Sequence, residues 1–214
     1  PNLHEVPGTH GVTHLDWQWM PPKSDTGEGG QYIDVDGALA THPLGKSTQI
    51  AGYFFNARYW HSARNVLVKM FAFSPDIVEQ ARNSVQEIDV CPERFVSVHL
   101  RFYTDHADSS NNIQRSQPKA QWFVGLLKRL CKEAPHRMTI VVCSDNMKKA
   151  QWFVQEGLKE VTGLLDVVLL DQDRAVCLAA MSMCRGGHIL SNSSLSFWGA
   201  YLDTDQPNTP TFIH

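Results

Sequence analysis

The apolar and polar positions of the chain predict alternating strands and helices from residue 95 onward. Four short runs are largely apolar and rich in β-branched residues, which is typical of strands buried on both faces of a sheet. They are residues 95–100, 138–143, 164–170 and 188–190. Apolar residues spaced three and four apart predict helices at residues 119–133, 146–161, 173–184 and 194–202. Residues 211–214 are predicted to begin a fifth strand.

Largely apolar strands joined by helices predict an α/β fold, in which a parallel, Rossmann-like sheet is covered by helices on both faces. The first helix is expected to bury one face, made of Trp122, Leu126, Leu127 and Leu130. Residues 1–48 have many Gly, Pro and His residues and little periodicity, so an irregular segment with one short strand at residues 31–37 is predicted there. A Rossmann-like domain is predicted at residues 49–214, and it is expected to be truncated at its C-terminus.

Composition and charge exclude several classes of function. The chain has 214 residues and a net charge of -3, without the basic stripe that a nucleic-acid-binding protein shows. Its apolar runs are all shorter than the roughly 18 residues of a membrane span. The five cysteines lack the spacing of a zinc site, and the Asp-x-Asp sequences that begin at Asp34 and Asp171 stand in no context typical of metal binding. Neither a metal site nor a cofactor is therefore predicted.

Polar residues follow each predicted strand at its carboxyl end. Open parallel sheets bind ligands at that edge, so these residues are the first candidates for a site. The candidates are His99 and Arg101, then Ser144 and Asp145, then Asp173, then Ser191, Asn192, Ser193 and Ser194. A structural interpretation stays open as well, because Asp145 and either Ser193 or Ser194 are suitable helix N-caps.

The sequence Ser-Asn-Ser-Ser at residues 191–194 predicts a phosphate-binding site. A helix N-terminus offers unpaired N–H groups and the positive end of the helix dipole, and small hydroxyl residues leave room for a phosphate. Arg101 can add a bidentate guanidinium to the same diphosphate. The glycine-rich fingerprints of dinucleotide-binding and P-loop proteins are both absent from the sequence.

At these positions the chain resembles the α-1,2-fucosyltransferases and their relatives, which transfer fucose from GDP-fucose. Four segments carry the resemblance, in the order and with roughly the spacing of the family. They are GYFFNARYW at residues 52–60, VSVHLR at 96–101, CSDNMKKAQWF at 143–153 and MSMCRGGHILSNSSLSFWGAYL at 181–202. The last segment is the most specific, and the resemblance covers residues 50–202.

The resemblance implies the donor-binding half of a GT-B type glycosyltransferase, with residues 1–48 as a possible remnant of the acceptor-side domain. It implies inverting, metal-independent transfer of L-fucose from GDP-fucose to a glycan hydroxyl, most simply α-1,2 to a galactoside. The implied catalytic residues are Arg101, His99 and Asp105. The implied donor-binding residues are Arg101, Ser144, Asp145, Asp173, Ser191, Asn192, Ser193, Ser194 and Leu195. The resemblance implies a Golgi-lumenal location if the protein is eukaryotic, with a membrane anchor expected outside this sequence, and a cytoplasmic location if it is bacterial.

The chain also departs from the family pattern. It lacks the Gly-Gly-Leu-Gly-Asn-Gln segment with which the family opens, and the acidic residue with which relatives read guanine falls on Cys177. Asp173 lies one helical turn earlier on the same face and is a candidate replacement. A catalytically impaired module that binds a nucleotide sugar or a glycan, and that keeps the phosphate-binding site, is therefore the alternative function.

Overall fold

The structure is a computed structural model that describes residues 2–5, 12–16, 47–51, 63–103, 117–203 and 209–213. The chain forms two compact units, Pro1–Ser62 and Ala63–His214. The first unit contains strands β1 (Asn2–Glu5), β2 (Val12–Asp16) and β3 (Ser47–Ala51). Strand β2 pairs antiparallel with β1 and parallel with β3. The apolar pattern predicted none of these strands, and the strand predicted at residues 31–37 lies outside the described residues.

The second unit is built on a five-stranded sheet in which all neighbouring strands are parallel. Its strands are β4 (Phe95–Leu100), β5 (Thr139–Ser144), β6 (Asp166–Leu169), β7 (Gly187–Leu190) and β8 (Thr211–Ile213). Their order across the sheet is β6-β5-β4-β7-β8. The predicted parallel sheet is thus confirmed, including its fifth strand.

Helices connect the strands and precede them. They are α1 (Arg64–Met70), α2 (Pro75–Ser84), α3 (Ala120–Glu133), α4 (Met147–Trp152), α5 (Arg174–Met183) and α6 (Ser194–Tyr201). Helix α4 continues into a π-helical turn at Phe153–Gly157, so the helix predicted at residues 146–161 is shorter and less regular than expected. Helices α1 and α2 were not predicted from the apolar pattern. Among the described residues, no helix has the length and apolar character needed to cross a membrane.

The sheet is covered on both faces, as predicted. On one face, Val96, Val98 and Leu100 pack with residues of α3 and α4, and on the other face Phe95 and Val141 pack with residues of α2 and α5. The apolar face of α3 differs from the predicted one. It is centred on Phe123, Val124, Leu127 and Leu130, while Trp122 and Leu126 are only half-buried. The reason is that Phe123, Leu127 and Leu130 are spaced four and three residues apart, which places them on one side of the helix. The buried face is therefore rotated by about one residue from the predicted face.

The strand order places a topological switch point between β4 and β7. From β4 the chain adds β5 and then β6 on one side of the sheet. Helix α5 then carries it back to β7, which pairs with the other side of β4. Loops that leave neighbouring strands in opposite directions open a crevice at the carboxyl edge of the sheet, where ligands of such folds bind. The residues after β4 and β7 therefore occupy the position that favours ligand binding.

Candidate functional site

Two serines from the neighbouring strands hold the carboxyl end of β4. Ser144 at the end of β5 donates its hydroxyl to the carbonyl of Leu100 at 2.7 Å. Ser191 after β7 donates to the carbonyl of His99 at 2.6 Å and accepts the N–H of Arg101 at 3.1 Å. Both hydroxyls thus bond to the backbone of β4 or of the residue after it. Their effect is to fix the backbone from which the Arg101 side chain extends.

The Arg101 guanidinium is oriented by two neighbours. Its Nη1 donates to Oδ2 of Asp145 at 3.1 Å, and the other carboxylate oxygen of Asp145 accepts the N–H of Phe102 at 2.8 Å. The side chains of Arg101 and Asp145 are 19% and 12% exposed, so water screens this ion pair less than it screens a surface pair. On its other side the guanidinium lies 5.1 Å from the ring centroid of Tyr103, which is a cation–π distance.

Tyr103 is a site residue that the sequence pattern did not predict. Its hydroxyl donates to the carbonyl of Asn192 at 2.5 Å, so its side chain connects the residue after β4 with the loop after β7. Its backbone has φ of 53°, which is uncommon for a residue other than glycine and recurs at ligand sites. No periodicity or motif indicated this conformation in advance.

The loop after β7 leads into a helix N-terminus that carries no side-chain cap. Ser193 occupies the N-cap position of α6 with an extended backbone, but its side chain makes no capping hydrogen bond. Ser196 instead donates to the carbonyls of Ser191 at 2.8 Å and Ser193 at 2.9 Å, and so holds the loop. The first N–H groups of a helix have no intrahelical acceptor and lie at the positive end of the dipole. This end of α6, with Ser194 exposed and Leu195 half-buried, is suited to an anion.

The helix after β5 shows the alternative arrangement. Asn146, and not Asp145, caps α4, because its side chain accepts the N–H of Lys149 at 2.9 Å. The carboxylate of Asp145 is directed to Arg101 and Phe102 instead. The prediction that Asp145 is a helix N-cap is therefore wrong. Ser193 does occupy the predicted N-cap position of α6, but its side chain makes no capping hydrogen bond.

His99 lies beneath the site with a polar atom that is unpaired within the described part of the chain. Its residue is 2% exposed, and its Nδ1 has no hydrogen-bond partner there. Burial lowers the pKa of His99 to about 4, with Asp145 opposing the shift and Arg101 adding to it. The ring is therefore neutral at neutral pH and keeps one nitrogen able to accept a hydrogen bond or a proton.

The remaining predicted residues lie elsewhere. Asp173 caps α5 by accepting the N–H of Ala175 at 2.8 Å. It follows β6, two strands from β4, which corresponds to about 10 Å across the sheet. Cys177 is buried, with its Sγ 3.5 Å from the carbonyl oxygen of Gln172. Asp105 and the Asp-x-Asp sequence at Asp34 lie outside the described residues, within which no three His, Cys, Asp or Glu side chains cluster as a metal site.

Comparison with known proteins gives a structural likeness. No protein-family model and no curated protein sequence matches the chain. Two crystal structures of POFUT1 in complex with GDP match it, with TM-scores of 0.53 and 0.54 and 16% sequence identity over 78% of this chain. The chain therefore has a Rossmann-like fold that it shares with these structures. It spans 54% and 56% of the length of those two chains, or about half.

Proposed function

We propose that the chain binds GDP-fucose between the carboxyl ends of β4 and β7, as the donor-binding part of a fucosyltransferase. The observation that carries the proposal is the position of Arg101 at the switch point, where its side chain bonds to Asp145 and its N–H bonds to Ser191, in the loop that leads to the uncapped N-terminus of α6. The four sequence segments that resemble α-1,2-fucosyltransferases support it, since two of them, 96–101 and 181–202, supply these residues. The GDP bound in the POFUT1 structures supports the same ligand class.

The diphosphate is proposed to accept hydrogen bonds from the first N–H groups of α6 and from the Arg101 guanidinium. Each donor group carries positive charge or the positive end of a dipole, so their fields add at one place. Asp145 contributes indirectly by fixing the orientation of the guanidinium. Ser144 and Ser191 contribute by fixing the backbone of β4, since their hydroxyls bond to that backbone.

The reaction proposed is inverting transfer of fucose to a glycan hydroxyl, α-1,2 to a galactoside. As the bond from fucose to phosphate breaks, negative charge grows on the leaving GDP. Donors fixed in advance around that charge lower the barrier, and a single such donor is typically worth about 3–4 kcal/mol. His99 and Asp105 are the candidates for the base that accepts the hydroxyl proton. The low pKa of His99 keeps its ring in the neutral, proton-accepting state at neutral pH.

A second candidate function is a module that binds the nucleotide sugar without transferring it. The observation that favours it is Cys177, which stands where the resemblance places an acidic residue. Its thiol is buried and lies within 3.5 Å and 3.7 Å of the carbonyl oxygens of Gln172 and Leu170. A thiol is a weak donor and a weak acceptor, so it cannot replace a carboxylate in reading a base. Hydrolysis and transfer assays with GDP-fucose separate the two functions.

The experiment that tests the proposed site is calorimetric titration of Arg101→Ala with GDP. We expect at least tenfold weaker binding than in the parent, because one charge-assisted contact is worth about 1.5–3 kcal/mol. Arg137→Ala is the matched control, because Arg137 is also paired with a carboxylate, that of Asp166, at 2.9 Å. This pair lies at the amino ends of β5 and β6, at the opposite edge of the sheet from the proposed site. The proposal is wrong if the parent protein binds no GDP, or if Arg101→Ala binds it as tightly as Arg137→Ala does.

A further inference from the structure

Three fully buried polar side chains form a hydrogen-bonded chain below the site. The Oγ of Ser97 on β4 lies 2.7 Å from Nδ1 of His188 on β7. The Nε2 of His188 lies 3.3 Å from Oδ2 of Asp203, which follows α6. All three residues are 0% exposed. Burying polar side chains costs desolvation free energy unless each finds a partner. Apolar side chains at these three positions would avoid that cost, so the hydrogen bonds among Ser97, His188 and Asp203 call for an explanation.

These hydrogen bonds join the two ends of the segment that carries the proposed anion site. His188 and Asp203 are fifteen residues apart, and the loop after β7 and the whole of α6 lie between them. Arg64 of α1 reinforces the same end by donating to the carbonyl oxygens of Tyr201 and Asp203. Ser97 attaches this closed segment to β4, the strand that leads to Arg101.

The hydrogen-bonded chain lies too far from the site to touch a ligand. Ser97 precedes Arg101 by four residues, which places them about 13 Å apart along the strand. Helix α6 has eight residues and is therefore about 12 Å long, with the proposed anion site at its N-terminus and Asp203 beyond its C-terminus. Any effect of the three residues on the ligand must be transmitted by the position of α6.

We propose that Ser97, His188 and Asp203 are positioning residues that set where α6 lies along its axis relative to β4. In this way the N–H groups at the start of α6 and the Arg101 guanidinium meet on the same diphosphate. The inference rests on the proposed function of that site. Its physical basis is the steep dependence of a hydrogen bond on geometry: a small shift of a helix weakens contacts at its end without unfolding the protein.

The first test is nucleotide affinity in Asp203→Asn and Ser97→Ala, measured by calorimetry well below the melting temperature of each variant. We expect each to bind GDP about fivefold more weakly than the parent, the equivalent of about one lost hydrogen bond. The double variant should lose less than the product of the two factors, because both changes act through His188. Inorganic pyrophosphate serves as a second probe, which tests the diphosphate contacts without a base.

The matched controls lie in the other face of the sheet. Ile140→Val and Leu158→Ala remove buried apolar volume at residues that are 0% exposed and that pack with α3 and α4. Ile140→Val should lose less stability than the test variants and Leu158→Ala should lose more. Both controls should bind GDP as tightly as the parent does. Equal weakening in the controls, or parental affinity in both test variants, overturns the inference.

Amide hydrogen exchange without nucleotide gives a second readout that does not depend on the proposed function. The N–H groups of Phe197 and Leu202 donate to the carbonyls of Ser193 and Trp198 within the segment. Asp203→Asn should speed their exchange, and the controls should not. If the parent binds neither GDP nor pyrophosphate, the proposed function is wrong. The exchange rates still test whether Ser97, His188 and Asp203 position α6. Parental exchange rates at Phe197 and Leu202 would show that the three residues do not position α6.

Discussion

At the scale of single residues, the polar side chains around β4 divide into those that hold backbone and those directed at the proposed ligand. Ser144, Ser191 and Asp145 belong to the first group, because each accepts a backbone N–H, and the two serines also donate to carbonyls of β4. Ser194 is exposed at the start of α6, and the proposed phosphate site assigns it to the second group. Substitutions in the two groups should therefore have different effects.

Ser194 gives a prediction in which binding and stability change in opposite directions. Ser194→Ala should weaken GDP binding by no more than one neutral hydrogen bond, about 0.5–1.5 kcal/mol, because the backbone donors remain. Ser194→Glu should abolish measurable binding, since its carboxylate occupies the anion position and repels the phosphates. The same carboxylate should raise the free energy of unfolding by about 0.3–1 kcal/mol through the helix dipole.

Calorimetry and urea unfolding of both variants check the Ser194 prediction. Gln86→Glu is the charge control. Gln86 is exposed in the turn between α2 and β4, and this substitution adds the same negative charge away from the proposed site. Binding of GDP by Ser194→Glu at the parental affinity would rule out the helix N-terminus as the phosphate site.

His99 gives a prediction for the pH dependence of stability. Its pKa is about 4 in the folded protein, below the ordinary value of 6.5, so the unfolded chain binds the proton more tightly between these values. The contribution of His99 to stability is present above pH 6.5 and is lost as the pH falls towards 4. The loss amounts to at most about 3 kcal/mol. Urea unfolding from pH 7 to pH 4 should show a smaller fall for His99→Gln than for the parent, and an equal fall would contradict the assignment.

At the scale of elements, the sequence predicted those whose apolar pattern is set by the sheet. Strand β4 was predicted with its observed bounds, because each of its residues is buried. Helices α1 and α2 were missed for a different reason. Helix α1 has no buried residue, and α2 fully buries only Ala81 while Ile77 packs partly buried against the same core, so few apolar positions marked either helix. A start signal for α2 was nevertheless present, since Ser74 and Pro75 occupy the N-cap and first helical positions.

Packing of α6 against α5 gives a prediction at this scale. A Cβ atom on Gly199 would lie 2.9 Å from Cε and 3.0 Å from Cβ of Met181, and Met181 is fully buried. Alanine has the better helix propensity by about 1 kcal/mol. The steric conflict should outweigh it, because overpacking a core typically costs about 1–3 kcal/mol. Gly199→Ala should therefore lower the free energy of unfolding, as measured by urea denaturation.

Gly125→Ala is the control for Gly199→Ala. Gly125 lies inside α3, and a Cβ there would meet nothing within 4 Å. Helix propensity then acts alone and should stabilise the protein by about 1 kcal/mol. Two substitutions of the same type should thus have opposite signs, and a stabilising Gly199→Ala would show that α5 and α6 separate easily.

At the scale of the whole molecule, the order of the strands decides which polar strand ends form one site. The sequence predicted four polar strand ends but not their order, because pairing partners are set by tertiary packing. The order β6-β5-β4-β7-β8 brings the residues after β4 beside those after β5 and β7, and places Asp173 two strands away from β4. The position of Tyr103 also depends on this order, since its hydroxyl bonds across to Asn192 after β7.

The last prediction concerns where a nucleotide lies along the edge of the sheet. GDP should slow amide exchange after β4 and β7 and in the first turn of α6, because the diphosphate is proposed to accept hydrogen bonds there. Pyrophosphate should slow exchange at the same places. The further slowing that GDP alone produces locates the nucleoside. We expect it at residues 171–175, because Asp171 and Asp173 place exposed carboxylates there that can accept base N–H groups.

Exchange measured by mass spectrometry with each ligand at saturation resolves these regions, and ADP and UDP serve as base controls. The amino ends of β4 and β7 provide the internal reference, since a ligand at the carboxyl edge does not touch them. Slowing at residues 171–175 by GDP but not by ADP or UDP would mean that guanine is read there despite Cys177. If GDP slows exchange only at the amino edge of the sheet, the switch point between β4 and β7 is not the binding site.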